Sequence, residues 1–102
     1  MEIKVVRESE KIRVAILGSI DEVGAQKLDA ELRKLDATST KEVLFDFSRL
    51  DYIGSAGIGV ILLLYKRLGF HGGRIAIENI SKDLYPLLAN EMNLGRAFSL
   101  SS

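Results

Sequence analysis

Between residues 12 and 35 the hydrophobic period changes from two to about 3.6, and that change restricts the chain to a layered fold. Ile12, Val14 and Ile16 alternate with Arg13, Ala15 and Leu17, the pattern of a strand with one buried face. Gly18-Ser19-Ile20-Asp21 breaks that alternation. From Glu22 onward Ala25, Leu28, Leu32 and Leu35 fall on one helical stripe, with Lys27, Glu31 and Lys34 away from it. Asp21 stands where a cap would accept the free amide hydrogens of the first turn. A strand that passes into an amphipathic helix must bury both apolar surfaces against each other, which is the basis of an α/β fold.

The rest of the chain repeats this logic. Ile3 to Val6 reads as a strand, and the polar turn Glu8-Ser9-Glu10-Lys11 joins it to the strand at Ile12 as a hairpin. Ala37 to Thr40 is a polar loop. Glu42 to Phe47 is apolar on both faces apart from Asp46, which suits a central strand in a sheet covered by helices. Ser55 to Leu68 reads as a second helix, Gly69 to Gly73 as a turn, and Arg74 to Glu78 as a strand with Ile75 and Ile77 on one side. Ser81 to Asn90 reads as a third helix. Pro86 is tolerated only in a first turn, so Asp83 is expected as its cap rather than Ser81. Gly95 is expected to end the next turn, and Ala97 to Leu100 to form a last strand. The expected order is β-β-α-β-α-β-α-β, a mixed sheet of four to five strands with helices packed on it.

Composition narrows the function. A chain of 102 residues, 47% of them hydrophobic, suits a single domain spanning 1–102. Lysine and arginine number 14 and aspartate and glutamate 14, so no basic surplus exists to neutralise phosphates, and direct nucleic-acid binding is not expected. Without cysteine there is no disulfide, thiolate metal site or thiol nucleophile. The start Met1-Glu2-Ile3-Lys4 has no leader layout, and the apolar run Ile58 to Tyr65 is too short to insert in a membrane, so a cytoplasmic protein is expected. One histidine, His71 in a turn, and no spaced carboxylate pair give no catalytic set, and neither a metal nor a cofactor is expected.

The informative segment runs from Leu44 to Val60, LFDFSRLDYIGSAGIGV. A buried strand bearing Asp46 leads through a loop into a helix by way of Gly54-Ser55-Ala56-Gly57-Ile58-Gly59. Three glycines in six residues disfavour a helix start, unless the backbone turns sharply or something approaches it closely. No Gly-Lys-Ser/Thr follows, which argues against a nucleotide-hydrolysing loop. Ser55 is expected at the helix N-cap, its hydroxyl above unpaired amides and the positive end of the helix dipole. A phosphate there meets ready donors and adds roughly −1.5 to −2 charges to a neutral surface.

This stretch resembles the STAS domain of anti-sigma-factor antagonists, in which a strand is followed by Asp-x-Ser-x-Leu/Val-x-Tyr/Phe-Ile-Asp-Ser-x-Gly-Leu-Gly and a helix. The match runs from Asp46 through Gly59, and Gly18-Ser19-Ile20-Asp21, His71-Gly72-Gly73 and Asn79-x-Ser81 fit as well. The resemblance implies a STAS fold and a non-enzymatic, partner-switching role in transcription. The unphosphorylated antagonist binds an anti-sigma factor that is also a serine kinase, phosphorylation releases it, and a phosphatase resets it. On matching positions Ser55 is the phosphoacceptor, and Asp21, Asp46, Gly54, Ala56, Gly57 and Ile58 belong to the partner-binding surface around it. Gly54 departs from the family's usual Asp and removes one carboxylate. A chain that stops at Ser102, where many members continue into a final helix, is expected to favour a homodimer. Two other roles stay open: a STAS subunit of a stress-signalling scaffold, and an accessory STAS subunit of a lipid or anion transporter.

Overall fold

The computed structural model describes residues 1–91 and 98–102. In chain order its elements are β1 (Glu2–Glu8), β2 (Lys11–Ile20), α1 (Glu22–Leu32), β3 (Glu42–Ile53), α2 (Ser55–Gly69), β4 (Arg74–Glu78), the short α3 (Leu84–Pro86) continuing into a π-helical turn (Leu87–Glu91), and β5 (Ser99–Leu100). The five strands lie in sequence order in one sheet. β1 pairs antiparallel with β2, and β2–β3, β3–β4 and β4–β5 are parallel. The expected β-β-α-β-α-β-α-β order and mixed sheet are therefore present. Gly95 and Ala97, the expected turn end and strand start, lie outside the described residues.

Sequential strand order decides where the helices go. Parallel crossovers are right-handed as a rule, and here each moves one strand in the same direction, which puts successive helices on the same face. The burial pattern agrees. Val14, Ile16, Val43, Phe45, Ile75 and Ile77 point to the helical side and are buried with Leu28, Ile61, Leu64 and Leu68. Ala15, Leu17, Leu44, Asp46 and Ala76 point the other way and are half-buried. The both-faces-covered sheet expected from β3 is thus a one-sided sheet. Leu44 lies on its open side.

Two strands outrun the sequence expectation, for one reason. β2 continues through Gly18 to Ile20 and β3 through Ser48 to Ile53, with register shifts between Ala15 and Leu17 and between Gly18 and Ser19. Each bulge inserts an extra residue, so inward positions on β3 advance by three, from Phe47 to Leu50 to Ile53. A period-two reading stops there. Gly18 takes φ +98° at the second shift, a conformation that other residues reach at a cost.

The third helix also differs. It begins at Leu84, and the Ser81 hydroxyl accepts the Leu84 amide hydrogen at 3.2 Å. Asp83 occupies the N-cap position as expected, but it has helical φ and ψ and makes no capping bond, and the Ser81 hydroxyl supplies that bond instead. Pro86 keeps its place in the first turn. Phe98 is 4% exposed and packs edge-on against Tyr65 at 5.3 Å, holding the last strand to α2.

The start of α2 is set by close contact. A Cβ on Gly57 would fall 2.6 Å from Ile20 Cγ2 and 2.9 Å from Ile53 Cγ1, both in fully buried side chains. At Gly59 nothing lies within 4 Å of that position. Gly57→Ala should therefore lower stability by about 1–3 kcal/mol through overpacking. Gly59→Ala should raise it by about 0.5–1 kcal/mol through helix propensity alone. Urea melts of the two variants check this opposition, and a stabilised Gly57→Ala contradicts the packing.

Candidate functional site

The parallel pair β2–β3 brings two helix starts to one end of the sheet. Ile20 pairs with Ile53, and the Gly54 amide donates to the Ile20 carbonyl at 3.0 Å. Asp21 then leads into α1 and Gly54 into α2. Asp21 is extended, at φ −86° and ψ −165°, and its Oδ1 accepts the Gly24 amide hydrogen at 2.7 Å. It caps α1 as its position in the sequence suggested, and it stands beside the β3–α2 junction.

Gly54, not Ser55, is the cap of α2. Gly54 is extended, with φ −92° and ψ 178°, and its carbonyl accepts the Ile58 amide hydrogen at 3.1 Å. Ser55 is the first residue inside the helix, which corrects the expectation that it caps. The reason is legible in the motif: the residue before the serine is usually Asp, a strong capping residue, and glycine serves the same position nearly as well. Ser55 is exposed, and its hydroxyl has no hydrogen-bond partner among the described residues. The amides of Ser55, Ala56 and Gly57 belong to the first turn, where no intrahelical acceptor exists and the positive end of the helix dipole lies.

The predicted partner surface divides here. Ser55 and Ala56 are exposed and Gly54 is half-buried. Gly57 is buried under Ile20 and Ile53, and Ile58 is 6% exposed in the core. These last two face inward and position the serine. Tyr52, by contrast, had drawn no role. It is 52% exposed, and its hydroxyl lies 2.9 Å from where a Cβ on Gly54 would be. The signal was available, since residues two apart on a strand share a face. The phenol occupies the space that a carboxylate-bearing residue 54 would use.

Asp46 is elsewhere. On β2 the span from Ala15, paired with Asp46, to Ile20, paired with Ile53, is about 16 Å at ordinary strand rise. Asp46 sits on the open face and ties three strands together. Its Oδ1 accepts from Asn79 Nδ2 and the Ser48 amide, both at 3.0 Å, and its Oδ2 from Arg13 at 3.1 Å. Asn79 holds φ +57°, which suits asparagine, as it turns back from β4. The structure does not bring Asp46 to Ser55; it makes Asp46 a clasp of the sheet. Among the described residues no group of three or more acidic, histidine or cysteine side chains could hold a metal ion, and no helix is long and apolar enough to cross a membrane.

Burial of Asp46 opposes its ionisation, but the donors Asn79, Ser48 and Arg13 together outweigh this and hold the carboxyl down to about 2, from 3.8. A carboxylate depressed in the folded state contributes stability that is complete above its unfolded pKa and is lost as pH falls through its folded one. Wild-type protein should therefore lose stability between pH 3.8 and about 2. Asp46→Asn, already less stable at neutral pH, should show a shallower loss over that window in acid titrations followed by circular dichroism. Parallel curves for the two proteins would remove Asp46 from this role.

Comparison with known proteins agrees with this architecture. A stretch of 51 residues is 41% identical to a putative anti-sigma factor antagonist, BtrV, of Bordetella bronchiseptica, and covers 50% of this chain and 44% of that protein. The alignment thus spans less than half the length of this relative. An anti-sigma factor antagonist from Mycobacterium paratuberculosis superposes with a TM-score of 0.83 at 22% identity, over 98% of this chain and 84% of that one. SpoIIAA of Bacillus superposes in its unphosphorylated form at 0.76 and in its phosphorylated form at 0.75, both at 18% identity, over 99% of this chain and 87% and 92% of those chains. The sequence profile of the STAS domain matches residues 3–98, essentially the whole β2–α2 framework that presents Ser55. The chain belongs to the STAS domain family.

Proposed function

We propose that this chain is an anti-sigma-factor antagonist that works as a non-enzymatic binding switch controlled at Ser55. Unphosphorylated, it binds an anti-sigma factor that is also a serine kinase, through the exposed end of the sheet formed by Asp21, Tyr52, Gly54, Ser55 and Ala56. Phosphorylation of Ser55 releases the partner and a phosphatase restores binding, so that transcription follows the state of one side chain.

The observation that carries this reading is the condition of Ser55. Its hydroxyl is exposed and unpartnered at the first position of α2, so a kinase can take it without breaking a structural bond. A phosphate there adds roughly −1.5 to −2 charges beside unpaired helix amides, which can donate to its oxygens. The same charge on a face that has been covered by a partner is repelled and costly to desolvate. The near-equal superposition on unphosphorylated and phosphorylated SpoIIAA supports a switch that changes charge and leaves the fold alone.

Because the hydroxyl caps nothing, Ser55→Ala should change stability by no more than about 0.5 kcal/mol. Ser55→Asp should add about 0.3–1 kcal/mol through the helix dipole. Incubation with the cognate kinase and ATP should add one phosphate, mapped to Ser55 by peptide mass spectrometry. A phosphate found only on Ser48 or Ser81, or none with an authentic partner, overturns the switch; partner binding without phosphorylation would then favour the scaffold role.

A further inference from the structure

The two edges of the sheet are built differently. β5 closes one side with two residues, Ser99–Leu100, which leaves little backbone to pair. β1 closes the other with seven, Glu2–Glu8. Among the described residues it lacks the bulge, proline or covering segment that commonly protects an edge. Its ladder with β2 runs from Glu2 to Glu8 without a register shift, and every residue on it except Ile3 is exposed. Val5 is 36% exposed and Val6 49%.

The hairpin decides which backbone groups are free. Glu8 and Lys11 flank the two-residue turn Ser9-Glu10 and form its hydrogen-bonded pair. Alternation along β1 then commits the amides and carbonyls of Val6 and Lys4 to β2. Those of Arg7, Val5 and Ile3 turn to the open edge. Side chains alternate as well. Lys4 pairs with Ala15 and Val6 with Arg13, so Glu2, Lys4, Val6 and Glu8 lie on the sheet face that carries Asp46.

We propose that β1 is the interface of a two-fold homodimer, in which two copies pair their edge strands antiparallel about an axis at Val6. In that register Lys4 of each copy stands opposite Glu8 of the other, on either side of a Val6–Val6 contact. Neither Lys4 nor Glu8 has an ion-pair partner among the described residues of one chain. Val5 and Arg7 fall opposite each other, and their outward backbone groups make about four hydrogen bonds across the edge.

Charge selects this register over its neighbours. An axis at Val5 sets Glu2 against Glu8, and an axis at Lys4, Arg7 or Glu8 sets a charge against its own copy, which destabilises a strand pair. An axis at Ile3 joins Glu2 to Lys4 but leaves Val6 and Glu8 uncovered. Only the axis at Val6 matches opposite charges and covers both valines. A second copy supplies this complement by symmetry.

The Ser55 sites stay uncovered. Val6 pairs with Arg13, and from there to Ile20 is about 23 Å along β2 at ordinary strand rise. The dimer joins two five-stranded sheets into one and holds the two Ser55 ends at opposite ends of it. One edge strand buries less than the roughly 1,200 Å² of tight complexes, so the pairing depends on concentration.

Sedimentation equilibrium of the full chain up to about 1 mM measures the association, with circular dichroism melts confirming that each variant folds. Wild type should pass from monomer to dimer within that range. Lys4→Glu and Glu8→Lys should each weaken the dimer by about threefold to tenfold, because each sets like charges opposite one another. A mixture of the two variants should associate as wild type does, since one edge is then acidic at both positions and the other basic. No contact inside one chain gives this rescue, because Lys4 and Glu8 stand about 13 Å apart on β1. Val6→Cys, in a chain without cysteine, should form a disulfide-linked dimer under mild oxidation. Residues facing each other in a non-hydrogen-bonded pair lie about 4.5 Å apart, within disulfide reach. Val5→Cys, offset from its own copy, should cross-link about tenfold more slowly. A monomer throughout the range, a mixture no tighter than its single variants, or faster cross-linking at Val5 than at Val6 overturns the interface.

Discussion

The first turn of α2 rests directly on Ile20 and Ile53, and this contact sets the geometry of everything around Ser55. Gly57 permits it: a Cβ there would come within 2.6 Å of Ile20 and 2.9 Å of Ile53. Ile20 and Ile53 are themselves the last paired residues of β2 and β3. The helix can therefore start only where the parallel pair ends. Gly54 turns the chain, Ser55 opens the helix, and Ile58 fills the core behind it. The position of the serine hydroxyl follows from packing two residues away, at Gly57.

How far the sequence revealed this depends on which periodicity each segment kept. The α1 stripe and its Asp21 cap were plain, because the helix obeys one period and its cap has one good side chain. The ends of β2 and β3 were hidden, because bulges move inward residues to a spacing of three that resembles neither strand nor helix. Ser55 was identified by its motif but placed one position early, since a glycine cap leaves no side chain to mark it. Asp46 shares that motif and yet lies about 16 Å from the junction, fastened to Asn79 and Arg13. A motif orders residues along the chain; only the strand that carries them says how far apart they stand.

The molecule separates its tasks by surface. The open sheet face holds the Asp46 clasp, the strand ends present Ser55 and Tyr52, and the outer helix face exposes Leu63 and Phe70. Charge added at Ser55 meets unpaired amides and displaces no existing bond, so the proposed signal need not travel through the core. Such a switch acts on whatever covers the site and leaves the sheet as it was. Gly54 in place of the motif's carboxylate sets this chain's surface apart, leaving the Tyr52 phenol against the bare backbone of residue 54.

Calorimetric titration of the anti-sigma partner into unphosphorylated and Ser55-phosphorylated protein tests the central claim most directly. The account predicts an affinity loss of about tenfold or more on phosphorylation, with no fall in melting temperature, because the added charge opposes the partner and suits the helix. Equal affinity for the two forms, or a loss that merely tracks destabilisation of the fold, would contradict it.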